Sequence, residues 1–89
     1  MKVYCISYDL KAPNKDYTGL YEALKAYPWW HYLESTWLIK SAESSTVIWN
    51  RLAKHIDTND RLLLIEVRNN KQGWLAKEAW EWINQNVPT

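Results

Sequence analysis

Along the chain the apolar positions change period, from two to about 3.6 and back, and the changes divide it into seven elements. Val3 and Cys5 alternate with Tyr4, Ile6 and Tyr8, which predicts a central strand ending at Asp9 or Leu10, before a Lys-Ala-Pro-Asn turn. Tyr17, Leu20, Tyr21, Leu24 and Tyr27 keep helical spacing and predict a helix over residues 15–27, stopped by Pro28. From Trp29 to Ser41 strand formers dominate without a glycine turn, so two antiparallel strands are expected at about 30–34 and 36–40, bent or bulged at Ser35. Ser44 or Ser45 can cap a second helix whose inward positions are Val47, Ile48, Leu52, His55 and Ile56, with Asp57-Thr58-Asn59-Asp60 as the closing turn. Residues 61–67 read as a fourth strand buried on both sides, with Leu62 and Leu64 on one face and Leu63, Ile65 and Val67 on the other. The polar run from Arg68 to Gly73 leads into a third helix from Trp74 to about Asn86, with Leu75, Ala79, Trp82 and Ile83 on one stripe.

This order of strands and helices predicts an α+β protein, a ferredoxin-like βαββαβ sandwich with an added C-terminal helix. The core occupies residues 1–67 and the added helix 74–86 of a single domain spanning 1–89. In such a sheet the first two helices cover one face, yet several strands are apolar on both. The other face is expected to meet the third helix, a second copy of the chain, or both, and a homodimer through that face is the most economical arrangement.

With 89 residues there is room for one core, and 47% hydrophobic with 24% charged residues is the balance of a folded globular protein. Apolar runs such as Leu62 to Ile65 fall far short of the roughly 20 residues a membrane helix needs. The N-terminal stretch shows neither a long apolar segment nor a small-residue cleavage site, so no signal peptide is expected and a cytoplasmic location is the default. Cys5 is the sole cysteine, which excludes an internal disulfide and a cysteine metal cage. Lys and Arg number 11 against 10 Asp and Glu, so phosphate binding must be local rather than a long-range pull on nucleic acid. The aromatic set is 7 Trp and 6 Tyr without Phe, so all of these rings carry an N–H or O–H. Such rings suit places where one end is dry and the other wet, whether a core edge, an interface or a binding surface.

Asp9 makes the clearest chemical case. A carboxylate at a strand end beside a two-fold axis meets its symmetry mate, and the paired oxygens could hold one Mg²⁺ that polarises a phosphodiester and activates water. The same side chain could instead cap the turn that follows. Lys11, Asn14 and Lys15 surround the start of the first helix, where free backbone N–H groups favour an anion, or else they form a solvated loop. Tyr8 could stack on a base or fill the core. Arg68, Asn69, Asn70, Lys71 and Gln72, followed by Trp74, combine cations, amides and a flat ring. Those are the groups a nucleotide needs for its phosphate, its base edges and its base face, although a run of this length also serves as a plain connection. His55 lies on an apolar helical stripe and is expected to pack, whereas His31 could act as an acid or base if its face of the strand is open. The two histidines and Cys5 lack zinc-ligand spacing, and no nucleophile elbow is present.

Tyr8-Asp9-Leu10 ending the first strand, Leu33-Glu34-Ser35-Thr36-Trp37-Leu38-Ile39 crossing into the third, and the segment from Asp57 to Leu64 resemble the CRISPR-associated protein 2 family. They also resemble its toxin-like relatives, including the virulence-associated protein D group, and the likeness covers about residues 1–67 by pattern. The resemblance implies a ferredoxin-like dimer with Asp9 in the cleft between subunits and Ser35 or Thr36 beside it as the small polar residue. It implies either a metal-dependent nuclease or a structural adaptor on DNA. The near-zero net charge and helical C-terminus depart from the DNA-gripping adaptors and favour a stand-alone relative, for which a toxin or antitoxin role is a further expectation. The function expected is a homodimer that binds RNA, DNA or a nucleotide, with weak Mg²⁺-dependent phosphodiesterase activity at paired Asp9 residues. The alternative is a non-enzymatic module that holds a protein partner or a nucleotide signal on its Trp and Tyr surfaces.

Overall fold

The computed structural model of the chain describes residues 1–11 and 16–88, so Asn14 and Lys15, two of the anticipated phosphate ligands, lie outside the described residues. The elements are β1 (Lys2–Asp9), α1 (Thr18–Lys25), β2 (Trp29–Leu33), β3 (Thr36–Ser41), α2 (Ser45–Leu52), a 3-10 turn (Ala53–His55), β4 (Arg61–Glu66) and α3 (Lys77–Asn86). The strands form one sheet in the order β2-β3-β1-β4, with every neighbouring pair antiparallel. The chain is thus α+β. β2 and β3 make a hairpin that turns at Glu34 and Ser35, and its register shifts between Trp30 and Leu33.

Helix boundaries follow local hydrogen bonding. The Ser44 hydroxyl caps α2 by accepting the Val47 N–H at 3.3 Å. α1 is shorter than its apolar spacing suggests, starting after Asp16, whose carboxylate takes the Thr18 N–H at 2.9 Å, and ending before Pro28. α3 begins at Lys77 rather than at Trp74, which instead lies on the connecting loop and is wholly exposed.

Tyr4, Ile6, Trp37 and Ile39 project from one sheet face onto Leu20 and Leu24 of α1 and Ile48 and Leu52 of α2, forming the main core. Its rings keep their polar ends bonded: the Trp37 indole N–H donates to the Tyr8 hydroxyl at 2.9 Å, and the Tyr4 hydroxyl to the Glu43 carbonyl at 2.8 Å. Val47 does not join this core; it is 44% exposed, because one residue before Ile48 lies about 100° round the helix.

On the opposite face Ile83 of α3 and Val87 just after it lie over Val3 and Leu38, with Cys5, Tyr32, Val67 and Trp80 around them. That cover is partial. Leu63 and Ile65 pair with Ser7 and Cys5, share their face, and are 60% and 55% exposed, so β4 is not buried on both sides as its composition suggested. A helix about 10 Å across covers only about two strands spaced 4.8 Å apart. Among the described residues no helix is long and apolar enough to cross a membrane.

Candidate functional site

The C-terminal end of β1 gathers several of the residues singled out by sequence. The Tyr8 N–H donates to the Ser35 carbonyl at 3.1 Å and Ser7 pairs with Thr36, so Asp9, Ser35 and Thr36 sit at one end of the sheet. Pleating then separates the side chains: Tyr8 faces the helices, whereas Asp9 shares the α3 side with Ser7, Arg61 and Leu63. A shallow groove of about 390 Å³ runs along this edge. The Asp9 carboxylate is 63% exposed and pairs with the Lys11 ammonium at 2.6 Å. The Arg61 guanidinium turns instead to the Thr58 and Asp60 carbonyls, at 3.1 Å each. Among the described residues no three His, Cys, Asp or Glu side chains converge on a common point.

Asp60, read from sequence only as a turn residue, organises this edge. Its buried carboxylate accepts the Lys11 N–H at 2.9 Å, the Tyr17 hydroxyl at 2.7 Å and the Asp57 N–H at 3.0 Å. No periodicity marks such a residue, because Lys11 and Tyr17 are remote from it in sequence.

The loop between β4 and α3 folds against the α3 side of the sheet. Lys71, Gln72, Gly73 and Trp74 border a cavity of about 300 Å³ whose inner wall includes Cys5 and Tyr32. The Cys5 Sγ lies 3.7 Å from the Tyr32 hydroxyl, and burial, followed by the hydrogen bond to the thiol, pushes this phenol well above its usual range. The Lys71 ammonium donates to the Asn69 side-chain oxygen at 2.5 Å. Arg68 stands apart, 82% exposed and 3.8 Å from Glu66. The structure therefore brings Lys71 and Trp74 together and leaves Arg68 outside.

A second group, largely missed by sequence reading, occupies the helical side of the hairpin. Tyr21, Lys25, Trp29, His31, Glu34 and Trp37 line a cleft of about 380 Å³. The His31 ring lies on Trp37 at 4.1 Å and 12°, and Trp29 leans on the same indole at 5.1 Å and 48°. The Tyr21 ring is within 13° of the Trp37 plane at 6.3 Å. The His31 Nε2–H donates to the Glu34 carbonyl at 2.9 Å. Burial raises the Tyr8 phenol, and the Trp37 hydrogen bond opposes that rise. Alternation puts His31 and Leu33 on one face of the strand and Trp30, Tyr32 and Glu34 on the other without saying which is open; Glu34 nevertheless borders the same cleft as His31, because it lies in the turn, where the alternation of the strand ends. His55 packs, as expected, with its ring so close to Gly19 that an added Cβ there would come within 2.5 Å of Nδ1.

The chain matches no protein-family model, and neither a curated protein nor a solved structure shows significant similarity to it.

Proposed function

We propose that the chain is a small homodimeric protein that binds a nucleotide or a single strand of nucleic acid, with the ferredoxin-like topology and the kinship to CRISPR-associated protein 2 that its sequence pattern suggests. One observation carries the binding role: Lys71, Gln72 and Trp74 share the rim of a single cavity. They supply a cation for phosphate, an amide for a base edge and an uncovered indole face for a base. Complete exposure of Trp74 leaves a large apolar area in water, and a stacked ring removes it. The strand order β2-β3-β1-β4, with α1 and α2 on one face, supports the topology. The exposed Leu63 and Ile65 support self-association. A reducing cytoplasmic setting suits the free Cys5 thiol.

The test is a titration with AMP and with short single-stranded RNA, followed by tryptophan fluorescence. Saturable quenching that Trp74→Ala abolishes and Lys71→Ala weakens is expected. Absence of quenching, or equal quenching in Trp74→Ala, overturns the reading.

Mg²⁺-dependent phosphodiester cleavage is a second reading, favoured by the position of Asp9 on the open strip with Ser7 and Leu63. Two-fold pairing of that strip would bring two carboxylates toward one cation, with Ser35 or Thr36 nearby. Loss of RNA cleavage and of any growth arrest in Asp9→Ala supports it; cleavage at the wild-type rate removes it and leaves binding alone.

A further inference from the structure

The cleft beside the hairpin combines rigid ring faces with two charged groups that, among the described residues, form no ion pair. Trp37, only 2% exposed, is the backing plate, with the His31 ring flat against it at 4.1 Å. The bond from Nε2–H to the Glu34 carbonyl, 2.9 Å long, holds the imidazole against rotation. Because His31 is exposed while one side of its ring is covered, the other side faces water. Trp29, tilted 48° to Trp37 and 39% exposed, forms a second wall. These rings are ordered before any ligand arrives, so a guest does not bear the entropy of arranging them.

The charged groups narrow the guest. The Lys25 ammonium stands 5.7 Å from the Trp29 ring centroid, and among the described residues it enters no salt bridge. Glu34 also lines the cleft, and among the described residues its carboxylate has neither a hydrogen bond nor an ion pair. A carboxylate accepts N–H donors and is repelled by a carbonyl edge. It therefore suits the exocyclic amine of cytosine, adenine or guanine and disfavours uracil, while a lysine suits phosphate.

We infer that this cleft is a binding site for an amine-bearing nucleobase, stacked on His31 and Trp29, with its amine directed to Glu34 and its phosphate to Lys25. The site lies on the opposite sheet face from the loop cavity and does not rest on that proposal.

The test is a titration with CMP and with UMP, read by two-dimensional NMR of the indole N–H signals of the wild-type protein. Saturable shifts of the Trp29 and Trp37 signals with CMP are expected, and binding of UMP weaker by roughly tenfold, a ratio within the range by which one good base-edge contact discriminates. His31→Ala should weaken CMP binding roughly tenfold or more, the usual loss when a stacking partner is removed, whereas His31→Phe should retain it. Glu34→Gln should narrow the difference between CMP and UMP. Shifts confined to Trp74 and Trp80, no shift at all, or unaltered affinity in His31→Ala overturn the inference. The first of those outcomes leaves the loop cavity standing, and loss of the Trp74 response alone does the reverse.

Discussion

Arg51 on α2 closes a bidentate pair with Glu43, Nη1 to Oε1 at 2.8 Å and Nη2 to Oε2 at 2.9 Å. The Tyr27 hydroxyl donates to Glu43 Oε1 at 3.0 Å and itself accepts from Arg51 Nη1. The Glu43 backbone also takes part, its carbonyl accepting from the Tyr4 hydroxyl and its N–H donating to the Ser41 hydroxyl. One glutamate therefore links β1, β3, α2 and the end of α1. The charged side chains are 41% and 35% exposed, so water weakens the pair. Glu43→Ala is expected to cost about 1–2 kcal/mol, lowering Tm by roughly 4–15 °C in a domain of this size. Calorimetry of the single and double variants with Arg51→Ala checks it: the losses should be less than additive.

Among the described residues the Asp60 carboxylate accepts from the Lys11 N–H, the Tyr17 hydroxyl and the Asp57 N–H, so its removal takes an acceptor from each of them. Asp60→Ala is expected to destabilise the fold by about 2–4 kcal/mol, more than any single exposed ion pair in the protein. Urea unfolding measures the loss. Hydrogen exchange at the Lys11 amide should accelerate in the same variant.

Gly19 offers a test in which two principles oppose one another. Alanine in place of glycine inside a helix ordinarily stabilises by about 1 kcal/mol. Here the new Cβ would sit 2.5 Å from His55 Nδ1, 3.1 Å from Cε1 and 3.4 Å from Cγ. Gly19→Ala alone should destabilise, because the half-buried ring must move; in a His55→Ala background the same change should stabilise. Chemical denaturation of the four proteins in this cycle reads the change of sign.

Alkaline pH should weaken the fold through two phenols. Burial raises Tyr8, and burial together with the Cys5 thiol raises Tyr32, each from an ordinary value of 10.0. Both ionise later in the folded chain than in the unfolded one. Their stabilisation is therefore complete below pH 10.0 and is lost as the pH climbs above it toward the folded values. Stability from urea titrations should fall above about pH 10, and Tyr32→Phe should flatten that fall. Phenolate absorbance should show late-ionising tyrosines in the folded protein and fewer of them in the Tyr8→Phe, Tyr32→Phe double variant.

Leu63 and Ile65 present apolar side chains on the part of the sheet that α3 leaves open. If the proposed dimer forms through this strip, replacing both with lysine should shift it to monomer in sedimentation velocity while leaving helix and strand content by circular dichroism unchanged. A wild-type protein that sediments as a monomer removes the dimer from the proposed function.

Element type and order were legible in the chain because period depends on near neighbours alone. Tyr4, Ile6 and Tyr8 alternate, Leu20 and Leu24 are one helical turn apart, as are Ile48 and Leu52, and each set lies in the main core or against it. Helix ends were less legible, since Asp16 and Pro28 trim α1 inside a longer apolar stripe. Sequence reading grouped Asp9 with Ser35 or Thr36 through a resemblance and Lys71 with Trp74 through composition, whereas the backbone contact near Asp9 and the cavity that Lys71 and Trp74 border come from the fold. The remainder depended on packing between distant segments. Alternation sorts β2 into two faces without saying which is wet, and only the packing of α1 on the hairpin's Trp37 side makes that face, with His31 on it, the wall of a cleft. Likewise the width of α3 against that of the sheet exposes Leu63 and Ile65, and folding alone carries Asp60 to Lys11, 49 residues away. Short-range patterns encode which residues can be buried; which of them are buried, and against what, is an energy shared among groups that meet only in three dimensions.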